Sequence, residues 1–187
     1  VLTVDLFASD IQTLAVDSRT VGVRGSFEKV SNILFQKPIS WQMGGELLYT
    51  DERNRRVRSA NIPLPRNTFL IGSLFGSLTI DESDDLLDPS NGFRTTLFLA
   101  PEASRSEGRE TFYLRAQADA SYYKSIGTAV LAGRVRAATI QGAQFFEIAP
   151  SRRLYSGGGG SVRGYGFQGV GPQNDRGEPT GGGSLIE

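Results

Sequence analysis

The stretch Thr111–Tyr123, TFYLRAQADASYY, alternates in character from one residue to the next along its whole length. The even positions are Phe112, Leu114, Ala116, Ala118, Ala120 and Tyr122, and the odd positions include Tyr113, Arg115, Gln117, Asp119 and Ser121. Successive side chains of a β-strand point to opposite faces of its sheet. The alternation therefore predicts a long strand with one apolar and one polar face.

The same pattern recurs on both sides of this stretch. Thr128–Ile140 carries Arg134 and Arg136 on its polar face, and Lys124–Gly127 before it predicts a tight hairpin. Further strands are predicted at Val1–Ala8, Arg19–Lys29, Trp41–Thr50, Thr68–Ile80 and Phe93–Ala100. Long polar connections are expected at Asp51–Asn67, Pro101–Glu110 and Gln141–Gly183, and a compact acidic turn at Asp81–Gly92.

The composition excludes several classes of protein. The 187 residues contain 20 basic and 20 acidic side chains, so the net charge gives no reason to expect a nucleic-acid partner. The absence of cysteine and histidine excludes disulfide scaffolds, Cys/His zinc sites and every catalytic triad that uses imidazole. The strand pattern begins at Val1 and resumes at Ser184–Glu187, so we expect an internal part of a longer protein.

Two architectures accommodate many amphipathic antiparallel strands. A soluble β-sandwich buries its apolar faces in a core, whereas a transmembrane β-barrel turns them toward lipid and lines a wet lumen with the polar faces. Arg115, Asp119, Arg134 and Arg136 crowd one face of adjacent predicted strands, which a lumen would permit. The pattern favours an all-β, antiparallel transmembrane barrel and leaves the soluble sandwich open as an alternative.

The glycine-rich segment near the end of the chain is more than a flexible linker. Twelve of the 23 glycines lie between Gly157 and Gly183, where Arg163, Tyr165 and Phe167 stand among them. A guanidinium between residues with a permissive backbone suits a loop tip that inserts into a site and forms a bidentate contact.

This segment closely resembles a known loop. Arg153–Tyr165, RLYSGGGGSVRGY, is similar to the sixth extracellular loop of the BamA/TamA superfamily of outer-membrane assembly proteins. The tail Gln168–Gly183, QGVGPQNDRGEPTGGG, and the upstream Asp88–Phe93, DPSNGF, resemble the TamA branch. The residues that carry the loop resemblance are Arg153, Tyr155, Gly157, Gly158, Val162, Arg163, Gly164, Tyr165, Gly171 and Pro172.

The resemblance implies a fold and a place for the chain within it. The family fold is a barrel of 16 strands preceded by periplasmic POTRA domains. Residues 1–187 would then be part of one barrel domain, roughly strands 5 to 12, with 141–183 as the sixth loop folding into the lumen. Arg163 would anchor the loop to acidic residues of the inner wall, Gly164 would let the turn close, and Tyr165 would pack beside it. Glu187 is one candidate acid.

The resemblance also implies a function without bond chemistry or cofactors. Such a protein of the Gram-negative outer membrane inserts or exports β-rich, autotransporter-type clients by templating their strands at a lateral gate. Its expected partners are outer-membrane lipid, the clients and a TamB-like protein that spans the envelope. A two-partner secretion pore is the alternative within the superfamily.

Charged residues elsewhere have simpler interpretations. Arg115, Asp119, Arg134, Arg136 and Glu187 form a possible lumen charge ladder, and Glu28 and Glu46 are expected to be paired in the lumen rather than catalytic. A basic patch at Arg53, Arg55, Arg56 and Arg58 could contact lipopolysaccharide phosphates, but a solvated loop is the simpler interpretation.

Overall fold

A computed structural model describes residues 1–13, 15–29, 38–53 and 66–187. The described chain is an eight-stranded antiparallel sheet in which neighbours in sequence are neighbours in space. The strands are β1 Leu2–Gln12, β2 Asp17–Lys29, β3 Ile39–Arg53, β4 Arg66–Asp81, β5 Gly92–Ser106, β6 Arg109–Ile126, β7 Ala129–Gln141 and β8 Ser184–Ile186. Two short 3-10 helices, Phe145–Glu147 and Pro150–Arg152, lie in the connection before β8. The predicted all-β antiparallel class is confirmed.

All seven predicted strands are present, and the tight hairpin predicted at Lys124–Gly127 is found with its two-residue turn at Gly127 and Thr128, because β6 continues through Ile126. The expectation of a long polar connection at Pro101–Glu110 is wrong. There β5 continues to Ser106 and β6 begins at Arg109, so only Glu107 and Gly108 form the turn. Both turn residues have positive φ, 52° and 78°, as the favoured two-residue hairpins require.

One face of the sheet is apolar and exposed from strand to strand. A row of paired residues crosses five strands on this face: Leu6, Val23, Leu47, Gly72 and Ala103. Phe112 extends the row onto β6 and is 69% exposed. A sandwich would cover such a face with a second sheet, and the described strands form one sheet only. The exposed apolar face of this one described sheet agrees with the predicted barrel, whose apolar faces turn toward lipid.

Every strand pair is antiparallel, so successive connections alternate between the two ends of the strands. The long segment 142–183 leaves β7 on the same side as the β5–β6 hairpin and returns to pair Ser184–Ile186 with β7. Most of the basic patch, Arg55, Arg56 and Arg58, lies outside the described residues, and Arg53 forms an ion pair with Asp17 at 3.0 Å. Among the described residues no helix has the length and apolar character needed to span a membrane.

Candidate functional site on the loop-covered face

The segment 142–183, called the loop below, packs on the face of the sheet opposite the exposed apolar one. Ala149, which is fully buried, packs in a cluster with Leu48, Phe69 and Ile71 from β3 and β4. Nearby Ile148 packs against Tyr113 and Ile140 from β6 and β7. We call the start of the loop its stem and the loop-covered face the inner face. The two apolar contacts fix the stem on this inner face.

A short helix then directs polar side chains from the stem to the wall. Pro150 occupies the first turn of the helix Pro150–Arg152, where its fixed φ suits a helix start and no N–H is needed. The backbone N–H and the hydroxyl of Ser151 both donate to the carboxylate of Glu52, at 2.8 and 2.5 Å. Glu52 is fully buried, and it also accepts a hydrogen bond from the Thr50 hydroxyl at 3.1 Å.

Arg152, the next residue, reaches two strands of the wall. Its guanidinium donates to the carboxylate of Glu46 on β3, and its Nε lies 3.6 Å from Oε2 of Glu102 on β5. Glu46 pairs across the sheet with Ser73 of β4, and Ser73 pairs with Glu102. One loop arginine therefore spans three strands along a single cross-strand row. The expectation that Glu46 is paired on the inner face is confirmed.

Glu102 is the centre of this group of charges. Its side chain is only 1% exposed and accepts hydrogen bonds from the Tyr113 hydroxyl at 2.9 Å and from Arg115 Nη1 at 3.0 Å. We call Glu46, Glu102, Tyr113, Arg115 and Arg152 the stem cluster. Burial alone would lower the pKa of Arg152, but the carboxylates of Glu102 and Glu46 raise it above its ordinary value. The guanidinium therefore stays charged, and the two carboxylates and two guanidinium groups balance.

A second group of charges lies further along β6 and β7. Asp119 Oδ1 accepts from Arg134 at 2.9 Å and from Arg136 at 2.7 Å. Arg136 also lies 3.6 Å from the carboxylate of Glu187. We call Asp119, Arg134, Arg136 and Glu187 the tip cluster. The structure thus brings together four of the five residues predicted as a charge ladder, and it places Arg115 in the stem cluster instead.

The far end of the loop contacts the tip cluster. The Ser161 hydroxyl donates to the carboxylate of Glu187, and Arg134 donates to the Gly160 carbonyl at 3.1 Å. Arg134 lies seven residues from the end of β7 at Gln141, which corresponds to a distance of about 23 Å along a strand. The loop therefore extends deep along the inner face and does not stay at the rim of the sheet.

The motif Val162–Tyr165 lies beside these contacts, at the tip. Arg163 is exposed and forms no ion pair with any residue in the described ranges. Gly164 has φ +90°, and Tyr165 is 62% exposed. Glu187, considered above as an acid for Arg163, is occupied by Arg136 and Ser161. The anchoring role of Arg163 stays a prediction.

Arg153, the first residue of the resemblance, has a role within the loop. It is buried, and it donates to the carbonyls of Ile148 and Thr180, both at 3.1 Å. Its guanidinium lies over the ring of Phe145, 4.2 Å from the ring centroid. Arg153 therefore joins the outgoing and the returning arms of the loop.

Tyr155 and the first glycines shape the bend that follows. The Tyr155 hydroxyl donates to the Pro150 carbonyl at 2.9 Å. Gly157 has φ +106°, and a Cβ there would lie 2.6 Å from the carbonyl oxygen of Gly166. Gly158 has a similar φ of +105°. Glycine is thus required at Gly157 both by its backbone conformation and by the close approach of the returning chain.

The return of the loop begins at Gly171 and Pro172. Gly171 has φ +123°, and the Pro172 carbonyl accepts from the Thr180 N–H at 2.9 Å. The same carbonyl accepts from the Thr180 hydroxyl at 3.1 Å. These bonds close a small turn, so both residues belong to the internal framework of the loop and not to its contacts with the wall.

The stem cluster is the part of the site that sequence reasoning missed. Glu46 and Arg115 were expected on the polar face, but Glu102 lay within a predicted connection and Arg152 was only a flanking residue of the glycine-rich stretch. Extending the alternation of β5 through Glu102 and Ser104 would have placed Glu102 on the inner face.

Comparison with known proteins agrees with this architecture. Residues 2–187 match the family model described as the Omp85 superfamily domain. A search of curated proteins gives no match. The superfamily consists of outer-membrane β-barrel proteins that insert or translocate other proteins and are not enzymes. The exposed apolar face is then the lipid-facing side of a partial barrel, and the loop-covered face is its inner side. With its sequence matched over almost its entire length, the chain belongs to the Omp85 superfamily.

Proposed function

We propose that this chain is part of a TamA-like protein of the Gram-negative outer membrane, which inserts or exports β-rich clients of the autotransporter type. A client strand would add to an exposed strand edge at a lateral gate, where main-chain hydrogen bonds form without regard to most side chains. No cofactor is needed, because strand addition makes and breaks only hydrogen bonds.

The observation that carries the proposal is the loop on the inner face. The loop is held by buried apolar contacts and by the stem cluster, and it reaches the tip cluster on β6 and β7. A loop fixed in this way occupies the surface along which a translocated chain would pass. Such an arrangement favours assembly at a strand edge over passage through an open lumen.

A TamB-like protein spanning the envelope is the partner we propose, on the basis of the loop and turn motifs. The test is crosslinking and affinity isolation of the full-length protein from outer membranes. Recovery of the envelope-spanning partner supports the proposal. Recovery of the lipoproteins of the general assembly machine would assign the protein to the BamA branch, and one large secreted client would assign it to two-partner secretion.

The proposed anchor at the loop tip is tested by Arg163→Ala in the full-length protein. We expect barrel stability and client insertion to fall together, because removing the guanidinium from the proposed pair with an acidic residue of the inner wall would leave that carboxylate uncompensated. The matched control is Arg176→Ala, an exposed arginine of the same loop. Normal heat-modifiability on gels together with normal insertion in Arg163→Ala would contradict the anchoring role.

A further inference from the structure

The sheet contains a break between β4 and β5. Paired residues stop at Ser73 opposite Glu102 and resume at Gly76 opposite Leu99. Pro101 lies in the gap and has no N–H, so it cannot donate to the facing strand. Proline is normally confined to edge strands or bulges, yet β5 is an interior strand that pairs with β4 on one side and β6 on the other.

The break leaves a carbonyl of β4 to be satisfied locally. The Leu74 carbonyl faces Pro101 and accepts a hydrogen bond from the Ser73 hydroxyl at 3.2 Å. This bond is made within β4 and does not hold the two strands together. The seam between β4 and β5 is therefore weakened beside Ser73, where Pro101 cannot donate a ladder bond to the Leu74 carbonyl.

The stem cluster lies directly over this weak point on the inner face. Ser73 and Glu102 form the last pair before the gap, and Arg152 spans from Glu46 on β3 to Glu102 on β5. The contact passes over β4 and is shielded from water, because the side chains of Glu46, Glu102 and Arg152 are 11%, 1% and 16% exposed.

We propose that Arg152 is a positioning residue that closes the β4–β5 seam from the inside of the barrel. Its contacts with Glu46 and Glu102 link β3 to β5 at the position where Pro101 removes a backbone hydrogen bond between β4 and β5. A guanidinium suits this task because its planar, forked donors can serve two carboxylates at once, which the single ammonium group of lysine does less well.

The contact between Arg152 and Glu102 does more than attach the loop to the sheet. The stem already packs through Ala149 and binds Glu52 through Ser151. Those two contacts reach β3 and β4, on one side of the seam, and the contact of Ile148 reaches β6 and β7, further along the sheet. Arg152 also reaches β5, on the other side, so its removal should affect the seam more than the attachment of the loop.

Ala100 provides a local probe of the seam. It lies on β5 next to Pro101, points to the inner face and is 1% exposed. Residues 1–187 contain no cysteine, so in an Ala100→Cys variant the introduced thiol is the one in this region that maleimide can label. The matched control is Ala138→Cys on β7, which is 7% exposed on the same face and distant from the seam in strand order.

The experiment combines each cysteine with Arg152→Met in the full-length protein, on barrels that run as folded on gels. We expect labelling of the Ala100→Cys variant to accelerate by at least about tenfold, while that of the Ala138→Cys control changes by less than about twofold. Arg152→Lys should give an intermediate rate. Ser151→Ala, which removes a loop contact on one side of the seam, should leave both rates unchanged.

Restoring the missing donor tests the physical cause. Pro101→Val returns an N–H to β5 and should abolish most of the effect of Arg152→Met on Ala100→Cys labelling. The proposal is overturned if Arg152→Met leaves that labelling unchanged in folded barrels, or accelerates both cysteines equally. It is also overturned if the effect is equally large with Pro101→Val.

Discussion

The two charge clusters should differ in their contribution to stability because they differ in burial. Glu102→Gln keeps the shape of the side chain and removes the charge on which Arg115 and Arg152 depend, at 3.0 and 3.6 Å. Those arginines are 22% and 16% exposed. Removing one partner from a buried charge group costs about 3–5 kcal/mol. Arg152 keeps the carboxylate of Glu46, so we expect Glu102→Gln to lower the free energy of unfolding by about 3 kcal/mol, the lower end of that range, chiefly through Arg115.

Asp119→Asn is the matched substitution in the tip cluster, and it should cost less. Arg134 is 47% exposed, so its contact with Asp119 contributes about 0–1 kcal/mol. Arg136 is better buried but keeps the carboxylate of Glu187 at 3.6 Å. The sum is a loss of about 1–2 kcal/mol, mostly from the charge-assisted hydrogen bond of Arg136.

The assay is urea unfolding of the full-length protein in lipid vesicles, with the folded fraction taken from heat-modifiability on gels. Glu110→Gln is the control, because that side chain on β6 is 64% exposed and should change stability by no more than about 0.5 kcal/mol. If Asp119→Asn costs as much as Glu102→Gln, burial does not rank these clusters and the reasoning fails.

Three further predictions test the faces, the packing and the acidic turn. Single cysteines placed through Phe112–Tyr122 should react with water-soluble reagents at odd positions and with lipid-phase reagents at even ones; equal reactivity would contradict the two-sided sheet. Gly44→Ala should destabilise the barrel by about 1–3 kcal/mol in the same unfolding assay, because the added Cβ would lie 2.2 Å from the Gly25 carbonyl oxygen. Gly25→Ala is the control and should be tolerated, because a Cβ there meets nothing within 4 Å. Backbone N–H donors lower the pKa of Asp84 and Asp85 in the acidic turn between β4 and β5. The order of this turn should therefore be retained above the ordinary aspartate pKa and lost as the pH falls through the lowered pKa values. Amide hydrogen exchange in the turn that does not change with acid would contradict this prediction.

Alternation predicted the strands well, but it failed where the inner wall is polar. Glu102 and Ser104 follow Pro101, and together they have the composition of a loop. In a barrel of this kind the polar face of a strand carries the same residue types as a connection, so polarity alone does not separate the two. The tight turn at Gly108 was hidden within the predicted connection for the same reason.

The tip and stem clusters differ in how far the sequence could predict them. Asp119, Arg134 and Arg136 lie on strands joined by a tight hairpin, and the turn fixes which residues face one another. Arg152 and Glu46 are 106 residues apart in sequence, and their contact depends on how the loop folds back over the sheet. Strand periodicity carries no information about that path, so the stem cluster required the structure.

The neutrality of the chain also has a structural meaning that composition alone does not give. The stem cluster pairs two carboxylates with two arginines, and the tip cluster does the same. Ion-selective pores are lined by rings of one sign of charge, which attract one class of ion into the lumen. Within these two clusters each charge is balanced by partners a few ångströms away, so the clusters themselves contribute little net field to the inner face. Paired charges of this kind hold a loop and a wall in one arrangement, which is what an assembly factor requires and an ion-conducting pore does not.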